Sequence, residues 1–561
     1  MANYRGKDMA NEWKDTYPRP RLVRDEWLSL DGEWDFGTKK KGEQGMPAKM
    51  STIIVPFCPE SKLSGINRRI EADDIMFYGR KFEVPEGWKG SRVILHFGAV
   101  DQTAKVYVDG KFAGSHEGGY LPFSFDITEL LNDSEDGLHS VIVEARDSLD
   151  HKYPWGKQKV KNGGMWYTPV SGIWQSVWLE PVPEKYITSI KVDNGTNWVT
   201  ITAYGISNGT LELDGICYDL EADLDNKNSI ERPRASVRID ISDPKPWSPE
   251  DPHLYGFSVK GGSDKVRSYF ALRTLSRGWR NGHPALCLNG EPYFFNGLLD
   301  QGYWHDGIYT PSSPDKYADD ILAVKSLGFN TLRKHIKIEP EQFYYECDRL
   351  GMVVFQDMVN NSDYSFLRDT ALPTIGVKRI NDKKLHADLT SRRIFRDTME
   401  ETVTHLYSHP CICYWTIFNE GWGQFNADAV YDMLKTIDST RFIDSTSGWF
   451  WQKKSDVDSY HVYFRKVDLK PGSRPMVLSE FGGYACRIEG HYFGRGREYG
   501  YRNCADTEAL QNDIDRLYRE EIEPLKEKGL CAAIYTQLSD VEDETNGLLT
   551  YDREVKKVDH I

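Results

Sequence analysis

Two short apolar runs that each end in a glutamate constrain the fold of this chain more than any other feature. The first run, residues 412–418, is almost unbroken and stops at Asn419 and Glu420, and the second, residues 476–479, stops at Glu480. A continuous apolar run is typical of a parallel strand covered on both faces. Because α/β barrels and open α/β sheets place their chemistry at the carboxyl ends of strands, the runs predict two functional carboxylates at one edge of a parallel sheet.

A pair of carboxylates at two strand ends is the arrangement that glycoside hydrolysis needs. One group protonates the leaving oxygen while the other attacks the sugar or activates a water. A single strand-end glutamate is about as often a solvated residue that caps a core strand, so the interpretation depends on the pair. Glycines directly follow Glu480 and allow the backbone to turn tightly there.

The sequences around the two glutamates resemble those of a known enzyme family. Trp415-Thr-Ile-Phe-Asn-Glu-Gly and Val477-Leu-Ser-Glu-Phe-Gly-Gly resemble the acid/base and nucleophile signatures of glycoside hydrolase family 2, which includes β-galactosidases and β-glucuronidases. The resemblance implies that Glu420 is the general acid/base and Glu480 the nucleophile of a retaining enzyme. Retaining enzymes place the two carboxyl groups ~5–5.5 Å apart, whereas inverting enzymes need ~6.5–9.5 Å.

The resemblance also implies roles for residues close to these glutamates in the predicted sheet. Asn419 resembles the family's asparagine that bonds the sugar 2-hydroxyl, and Arg333 resembles an arginine that keeps the nucleophile ionised. Tyr463 resembles a tyrosine that donates to the nucleophile. His335 lines the same mouth or belongs to a solvated loop, and His461 contacts this region or is a satisfied core histidine.

Five further residues occupy predicted strand ends and are candidate sugar contacts. The aromatic ones either stack on a pyranose ring or pack at the barrel rim. The five are Asp300, Trp304, Asp357, Trp449 and Gln537. Segments 360–393 and 484–506 are expected to form the walls of the pocket, because long loops at strand ends commonly carry binding residues.

The pattern of the whole chain predicts three domains. Short alternating strands broken by turn residues predict a jelly-roll β-sandwich over residues 1–182, which resembles the sugar-binding domain of the family. A second β-rich stretch, 183–275, resembles the family's immunoglobulin-like sandwich and is expected to be a spacer. The loop from Tyr153 to Tyr167 is the one part of the first domain whose composition suits contact with a ligand.

Residues 276–561 alternate short apolar strands with helical stretches, which predicts βα units and a parallel sheet. The resemblance to the family implies that this part is a (β/α)8 TIM barrel, and a count guided by it gives eight strands. On this count Glu420 ends the fourth strand and Glu480 ends the seventh, as the resemblance implies. The eight predicted strands are 293–297, 330–333, 352–357, 413–419, 442–446, 458–463, 476–480 and 531–537.

Departures from the family pattern leave the sugar open. The β-galactosidases carry an aspartate just before the segment that corresponds to Ser171-Gly-Ile, and here that stretch has none. The β-glucuronidases carry an Asn-x-Lys after strand eight, which is also missing. Lys334, Lys337 and Arg553 are cations that could substitute for it, although nothing in the sequence requires that. β-Galactosidase activity is expected first from family frequency, with β-glucuronidase, β-mannosidase and α-L-arabinosidase activities as alternatives.

Composition excludes several other classes. A net charge of -15 argues against nucleic acid or an anionic membrane as a partner, and a carbohydrate or glycoside substrate is expected instead. Nine cysteines without a CxxC pair read as reduced and structural, and neither a metal nor another cofactor is expected. The first residues lack an apolar leader, which predicts a cytoplasmic protein, and a homo-oligomer is the family's usual state.

Two rival classes remain open at this point. A non-catalytic carbohydrate-binding protein on a hydrolase scaffold would be favoured by loss of Glu420, Glu480 or Asn419, and all three are present. A metal-dependent barrel enzyme would need clustered ligands such as His335, Asp357 and His461, and activity that survives a chelator would exclude it.

Overall fold

The structure, a computed structural model, describes residues 12–132, 137–222, 233–377, 380–494, 496 and 498–561. The predicted lack of an amino-terminal leader concerns residues 1–11, which lie outside the described residues. Within the described ranges, no helix has both the length and the apolar character needed to cross a bilayer.

The first part of the chain forms the predicted jelly-roll sandwich of antiparallel sheets. A six-stranded sheet has the order β3-β2-β4-β10-β7-β8, a four-stranded sheet has the order β1-β12-β5-β9, and β6 pairs with β11. Alternate residues of β10 are buried, as period-2 strands with one covered face require. The strands are β1 Leu28–Ser29, β2 Gly32–Lys40, β3 Ser51–Val55, β4 Asp74–Glu83, β5 Arg92–Phe97, β6 Val100–Asp101, β7 Thr103–Val108, β8 Lys111–Glu117, β9 Phe123–Asp126, β10 Leu138–Arg146, β11 Gly172–Ile173 and β12 Val177–Val182.

The second part forms the predicted immunoglobulin-like sandwich. Its strand order is β13-β14-β17-β16-β15-β18-β19, and all pairs are antiparallel. The side chains of this domain form a hydrophobic core of their own. The strands are β13 Ser189–Asn194, β14 Trp198–Tyr204, β15 Gly209–Leu213, β16 Ile216–Ala222, β17 Arg234–Asp240, β18 Tyr255–Gly261 and β19 Asp264–Phe270.

The third part is the barrel. A small antiparallel sheet, β20 Leu275–Arg280, β21 His283–Leu288 and β22 Glu291–Pro292, precedes it. All eight predicted barrel strands are present, although the first begins at Phe295 rather than at Tyr293. They are β23 Phe295–Asp300, β24 Thr331–Lys334, β25 Val353–Asp357, β26 Ile412–Asn419, β27 Phe442–Ser447, β28 Asp458–Val462, β29 Met476–Phe481 and β32 Leu530–Tyr535.

The barrel strands are parallel and run in the order β27-β26-β25-β24-β23-β32-β29-β28. This order starts at the fifth barrel strand, runs back to the first, continues with the eighth and seventh, and ends at the sixth. This is the order of a closed barrel that is written out from the gap between its fifth and sixth strands. In the described chain the fifth and sixth strands, β27 and β28, lie side by side without a backbone ladder. The carboxyl ends of all eight strands meet at one mouth, with a short pair, β30 Tyr484–Ala485 and β31 Arg502–Asn503, beside it.

Helices connect the barrel strands and cover the outside of the sheet. Aspartate side chains cap the amino-terminal ends of two of these helices. Asp388 accepts a hydrogen bond from the Ser391 amide, and Asp506 accepts one from the Ala509 amide. The α-helices are α1 Asp315–Ser326, α2 Glu341–Leu350, α3 Leu372–Thr374, α4 Leu389–Leu406, α5 Ala427–Ile437, α6 Thr507–Leu517 and α7 Glu523–Lys526.

The jelly-roll and the barrel share a core at the barrel mouth. The loop after β10 docks there, with the Trp155 amide donating to the Asn360 carbonyl at 3.0 Å. Gly156 has φ +64, and a Cβ at this position would lie 3.1 Å from the Tyr120 hydroxyl and 3.2 Å from the Ile336 carbonyl oxygen. Close approach of the two backbones therefore requires glycine here. The docking brings the 153–167 loop to the carboxyl ends of the strands.

Candidate active site

Glu420 stands directly after the fourth barrel strand. All eight residues of β26 are buried, and the Glu420 amide donates to the Ser447 carbonyl at the end of β27. Glu420 itself has φ +51, a left-handed conformation that is costly for a residue with a side chain. Gly421 follows with φ +75, and a Cβ there would lie 2.3 Å from the Phe450 ring. The turn aims the Glu420 side chain into the barrel mouth.

Glu480 lies near the end of the seventh strand, β29, and is 4% exposed. Arg333 donates to its Oε1 at 3.0 Å, and the Tyr463 hydroxyl donates to its Oε2. One carboxylate oxygen each from Glu420 and Glu480 and one ring nitrogen of His461 lie within 4.8 Å of one another. The fold therefore brings together the two glutamates that lie sixty residues apart in the sequence.

The two carboxyl groups have opposite charge preferences. Burial raises the pKa of Glu420, and the nearby Glu480 carboxylate raises it further, while His461 opposes the change. Burial would also raise the pKa of Glu480, but His461, Arg333 and other donors outweigh it and lower the pKa to about 2. Near neutral pH, Glu480 is therefore ionised, and Glu420 is the carboxyl group that holds a proton more readily.

Arg333 is the electrostatic centre of the site. Its guanidinium is 1% exposed, and besides Glu480 it donates to Asp357 at 3.0 Å and to the Asn419 side-chain oxygen at 2.8 Å. His335 reaches the same Asp357 carboxylate through Nδ1 at 2.7 Å. These contacts place four of the predicted site residues around the nucleophile candidate, Glu480.

His461 and Trp449 lie on the other side of the glutamates. His461 Nδ1 is 2.8 Å from Glu420 Oε1, and its Nε2 is 3.6 Å from Glu480 Oε1. Trp449 meets the His461 ring edge to face at 5.4 Å. Of the two readings of His461 that the sequence left open, the structure favours contact with the catalytic region.

Three predicted sugar contacts occupy other surroundings. Asp300 accepts from Lys334 and from the Gly302 amide, and Arg553 lies 4.2 Å above the Trp304 ring. The side chain of Gln537 donates to Glu544 and Asn546. No hydrogen bond or ring contact joins these three residues to Glu420 or Glu480 within the described chain.

The cations proposed from the sequence for a uronate are already paired. Lys334 also donates to Glu339 at 2.8 Å, Lys337 forms an ion pair with Glu339 at 3.0 Å, and Arg553 lies 3.4 Å from Asp320. A substrate carboxylate would have to displace these protein carboxylates. The prediction that one of these cations replaces the missing Asn-x-Lys is therefore not supported.

Aromatic residues from three loops enclose the mouth, and the sequence did not single most of them out. Trp166, from the jelly-roll loop, lies 5.3 Å from Trp422 and 4.9 Å from Tyr364. Tyr501 stacks on Tyr463 at 3.7 Å. Tyr364 and Tyr501 belong to the two segments expected to be pocket walls. Trp166 belongs to the 153–167 loop whose composition suits contact with a ligand, and Trp422 lies two residues after Glu420.

The metal hypothesis named His335, Asp357 and His461. In the described chain, His335 and Asp357 bond to each other and His461 bonds to Glu420, so these three do not converge. Glu420, His461 and Glu480 have close enough ligand atoms, but Arg333 and Tyr463 already donate to both oxygens of Glu480. Since a cation would have to displace a buried guanidinium, we assign no metal ligands here.

Three family models match the chain in the order of its three domains. They are described as the sugar binding domain of glycosyl hydrolases family 2 over residues 65–183, glycosyl hydrolases family 2 over 191–273, and the TIM barrel domain of that family over 283–473. The chain belongs to glycoside hydrolase family 2. The resemblance seen in the two glutamate signatures and the three-domain fold class are thus confirmed.

Relatives within family 2 carry different activities in their names. A β-galactosidase of Thermoanaerobacter pseudethanolicus is 25% identical over 73% of this chain and 54% of its own length. The chain spans about half the length, or less, of the first curated relatives it matches.

Solved family 2 structures match nearly end to end. A β-glucuronidase of Bifidobacterium dentium has a TM-score of 0.72 at 19% identity, with 96% of each chain covered. A β-galacturonidase of Eisenbergiella tayi has a TM-score of 0.68 at 19% identity, with 97% of each chain covered. At these identities, the matches establish the shared fold.

Proposed function

We propose that this family 2 chain hydrolyses terminal β-glycosidic bonds with retention of configuration. The separation of the two carboxyl groups carries the proposal: oxygens of Glu420 and Glu480 lie within 4.8 Å of each other. This upper bound on the distance between one oxygen of each group is compatible with the ~5–5.5 Å separation of a retaining pair.

In the first half-reaction, Glu480 acts as the nucleophile. Its carboxylate oxygen bonds to the anomeric carbon, the bond from that carbon to the leaving oxygen breaks, and Glu420 gives its proton to the leaving oxygen. In the second half, Glu420 takes a proton from water, the water oxygen bonds to the same carbon, and the bond to Glu480 breaks. The low pKa of Glu480 and the raised pKa of Glu420 suit these roles.

Neighbouring residues support the same cycle. Arg333 and Tyr463 keep Glu480 ionised and oriented before it attacks. Asn419 is held by Arg333 at 2.8 Å, and we assign it to the hydroxyl next to the anomeric carbon, a contact that strengthens in the transition state. Trp166, Trp422 and Tyr501 supply flat apolar surface for the sugar and its leaving group.

β-Galactosides are the first choice of substrate, since the relative described above is named a β-galactosidase. One observation favours a glycone that carries a carboxylate. Lys157, on the docked jelly-roll loop, is 8% exposed, and its Nζ lies 5.5 Å from the Tyr167 ring centre. Within the described chain Lys157 has no ion pair. Burial has the largest effect on the two nearby titratable groups: it raises the pKa of Glu420 and lowers that of His335. The positive charge of Lys157 lowers both pKa values.

A screen of nitrophenyl glycosides tests the proposal: β-galactoside, β-glucuronide, β-galacturonide, β-mannoside and α-L-arabinoside. Turnover of one sugar that collapses in both Glu420→Gln and Glu480→Gln, with the anomer of the substrate's own configuration formed first by NMR, supports a retaining glycosidase. Binding of sugars with no turnover would favour the non-catalytic rival. Full activity in a chelator would exclude the metal-dependent one.

Lys157→Met separates the two glycone classes. If Lys157 binds a substrate carboxylate, we expect KM for the uronide to rise about 10- to 100-fold, as for a lost charge-assisted hydrogen bond, with kcat less affected. A galactosidase would show a similar, smaller change for every sugar. Lys159→Met is the matched control, because Lys159 lies on the same loop with its Nζ 3.6 Å over the Trp166 ring.

A further inference from the structure

His461 touches both glutamates, which gives it a position that no other described residue shares. It comes from β28, between the strands that lead to Glu420 and Glu480. Its Nδ1 lies 2.8 Å from Glu420 Oε1, and its Nε2 lies 3.6 Å from Glu480 Oε1. The ring is packed against Gly448, where a Cβ would approach it to 2.7 Å, so its orientation is fixed.

Hydrogen bonds among serine side chains next to His461 indicate that its Nε2 carries a proton. The Ser479 hydroxyl donates to the Tyr460 carbonyl at 3.2 Å, and the Ser447 hydroxyl donates to Ser479 at 3.0 Å. Ser447 has then used its proton, so it accepts from His461 Nε2 at 3.1 Å. With a hydrogen on Nε2, Nδ1 either accepts from a protonated Glu420 or carries a second hydrogen, and in the second case the ring is an imidazolium that donates to Glu420.

We propose that His461 is a cationic positioning residue that serves both halves of the reaction, an inference that rests on the function proposed above. Its Nδ1–H holds Glu420 Oε1, so the other oxygen, Oε2, carries the catalytic proton. When the glycosidic bond breaks, that proton passes from Oε2 to the leaving oxygen, and the new Glu420 carboxylate pairs with the imidazolium. In the second half, water returns a proton to Oε2, and His461 keeps both of its own.

The surroundings of His461 contain charges of both signs. Glu420, Glu480 and the buried Asp444 favour the imidazolium, whereas Arg333 Nη1, at 3.5 Å from Nε2, disfavours it. Tyr463 contributes its ring, 6.4 Å away edge to face. Burial raises the pKa of Asp444 and of Glu420, so the carboxylate of Glu480 is the ionised group that faces the Arg333 guanidinium across the ring.

The proposal predicts a change in the shape of the pH profile. Replacing His461 by Asn keeps a neutral donor but removes the charge, which raises the pKa of both glutamates. Because Glu480 works ionised and Glu420 works protonated, both limbs of the kcat/KM profile should move to higher pH. A merely structural role would lower the rate and leave both limbs in place.

The leaving group supplies a second readout. Without the imidazolium, Glu420 is a weaker acid, so His461→Asn should slow glycosides with poor leaving groups by about 10- to 100-fold more than dinitrophenyl glycosides, which need little protonation. His139→Asn is the matched control, because His139 makes a 2.8 Å bond to Asp109 in the jelly-roll, far from the barrel mouth. It should change neither readout.

An experiment without turnover keeps the inference testable if no substrate is found. Chemical shifts of the ring nitrogens in 15N-histidine protein, assigned by the peak that His461→Asn removes, report the charge directly. We expect both ring nitrogens of His461 to carry a proton at neutral pH, and one of them to be unprotonated in Glu420→Gln. A neutral ring in the unmodified protein would overturn the inference. A charged ring in a protein that cleaves no glycoside would instead count against the proposed function alone.

Discussion

The ends of the fourth and seventh barrel strands look alike in sequence and behave differently in the fold. Each is a buried strand that ends in a glutamate and continues into a turn with a glycine at positive φ. Glu480 receives hydrogen bonds from Arg333 and Tyr463, and its pKa falls to about 2. Glu420 is hydrogen-bonded to His461 Nδ1, and burial raises its pKa. The two strand ends have similar sequences, but their glutamates have different pKa values because the residues that surround them come from other strands.

The largest expected effect separates the two glutamates by chemistry. Glu480→Gln should reduce kcat by roughly 10⁴-fold or more for every leaving group, because no other group can form the covalent bond. Glu420→Gln should cost about 10²- to 10⁴-fold with poor leaving groups and much less with dinitrophenyl glycosides. Steady-state kinetics on a series of aryl glycosides measures this, and the same leaving-group dependence in both variants would contradict the assignment.

The second prediction concerns Arg333, which contributes to the difference in pKa between Glu480 and Glu420. Arg333→Gln takes a cation from Glu480, so the pKa of that carboxyl should rise by about 1–3 units. Because ionised Glu480 is the active form, the acid limb of kcat/KM should move to higher pH. The basic limb, set by Glu420, should move less. Circular dichroism would show whether the variant folds, and an unmoved acid limb in a folded variant would refute the role of Arg333.

Replacing each glutamate by glutamine should change the free energy of unfolding at neutral pH in opposite directions. Glu480 has a lowered pKa, so its ionised form contributes stability above its ordinary pKa of 4.5, and that stability is lost as pH falls toward about 2. Glu480→Gln breaks a buried pair with Arg333 and should cost up to about 3–5 kcal/mol at neutral pH.

Glu420→Gln should instead stabilise the protein at neutral pH. Its folded pKa is raised, so ionisation in the unfolded chain above 4.5 favours unfolding, and Gln removes that contribution. Below 4.5 the gain should disappear. Thermal denaturation of both variants across this pH range is the measurement, and shifts of the same sign at neutral pH would show that the two environments do not differ in charge preference.

The smallest expected effect concerns Trp166 of the jelly-roll loop, whose side chain contributes apolar surface and no charge. Trp166→Ala removes contacts with Trp422 and Tyr364. We expect a rise in KM of roughly fivefold, equivalent to about 1 kcal/mol, with the pH limbs unchanged. Trp279→Ala is a fitting control, since Trp279 is 71% exposed on β20. A shifted pH profile in the Trp166 variant would mean that the Trp166 side chain also affects the pKa values of the glutamates.

The eight barrel strands were predicted from the local signature of buried parallel strands together with the strand number that the family resemblance implies. It placed the first strand two residues early, since the aromatic residues Tyr293 and Phe294 look like strand residues although they precede the ladder. It suggested Asp300, Trp304 and Gln537 from strand-end position alone. Their side chains bond to Lys334, lie under Arg553 or reach Glu544, and those partners come from other parts of the chain.

By itself, the sequence determined the three-domain architecture and the two glutamates, because apolar periodicity and a carboxylate after a strand are local properties. Only the tertiary structure decided which glutamate holds a proton more readily, how His461 spans the pair, and that Lys157 lies buried near the site with no ion pair to any described residue. Those properties depend on distances between residues from different strands and domains. In a buried site the free energy of a charge is set by such neighbours, and sequence order does not give their distances.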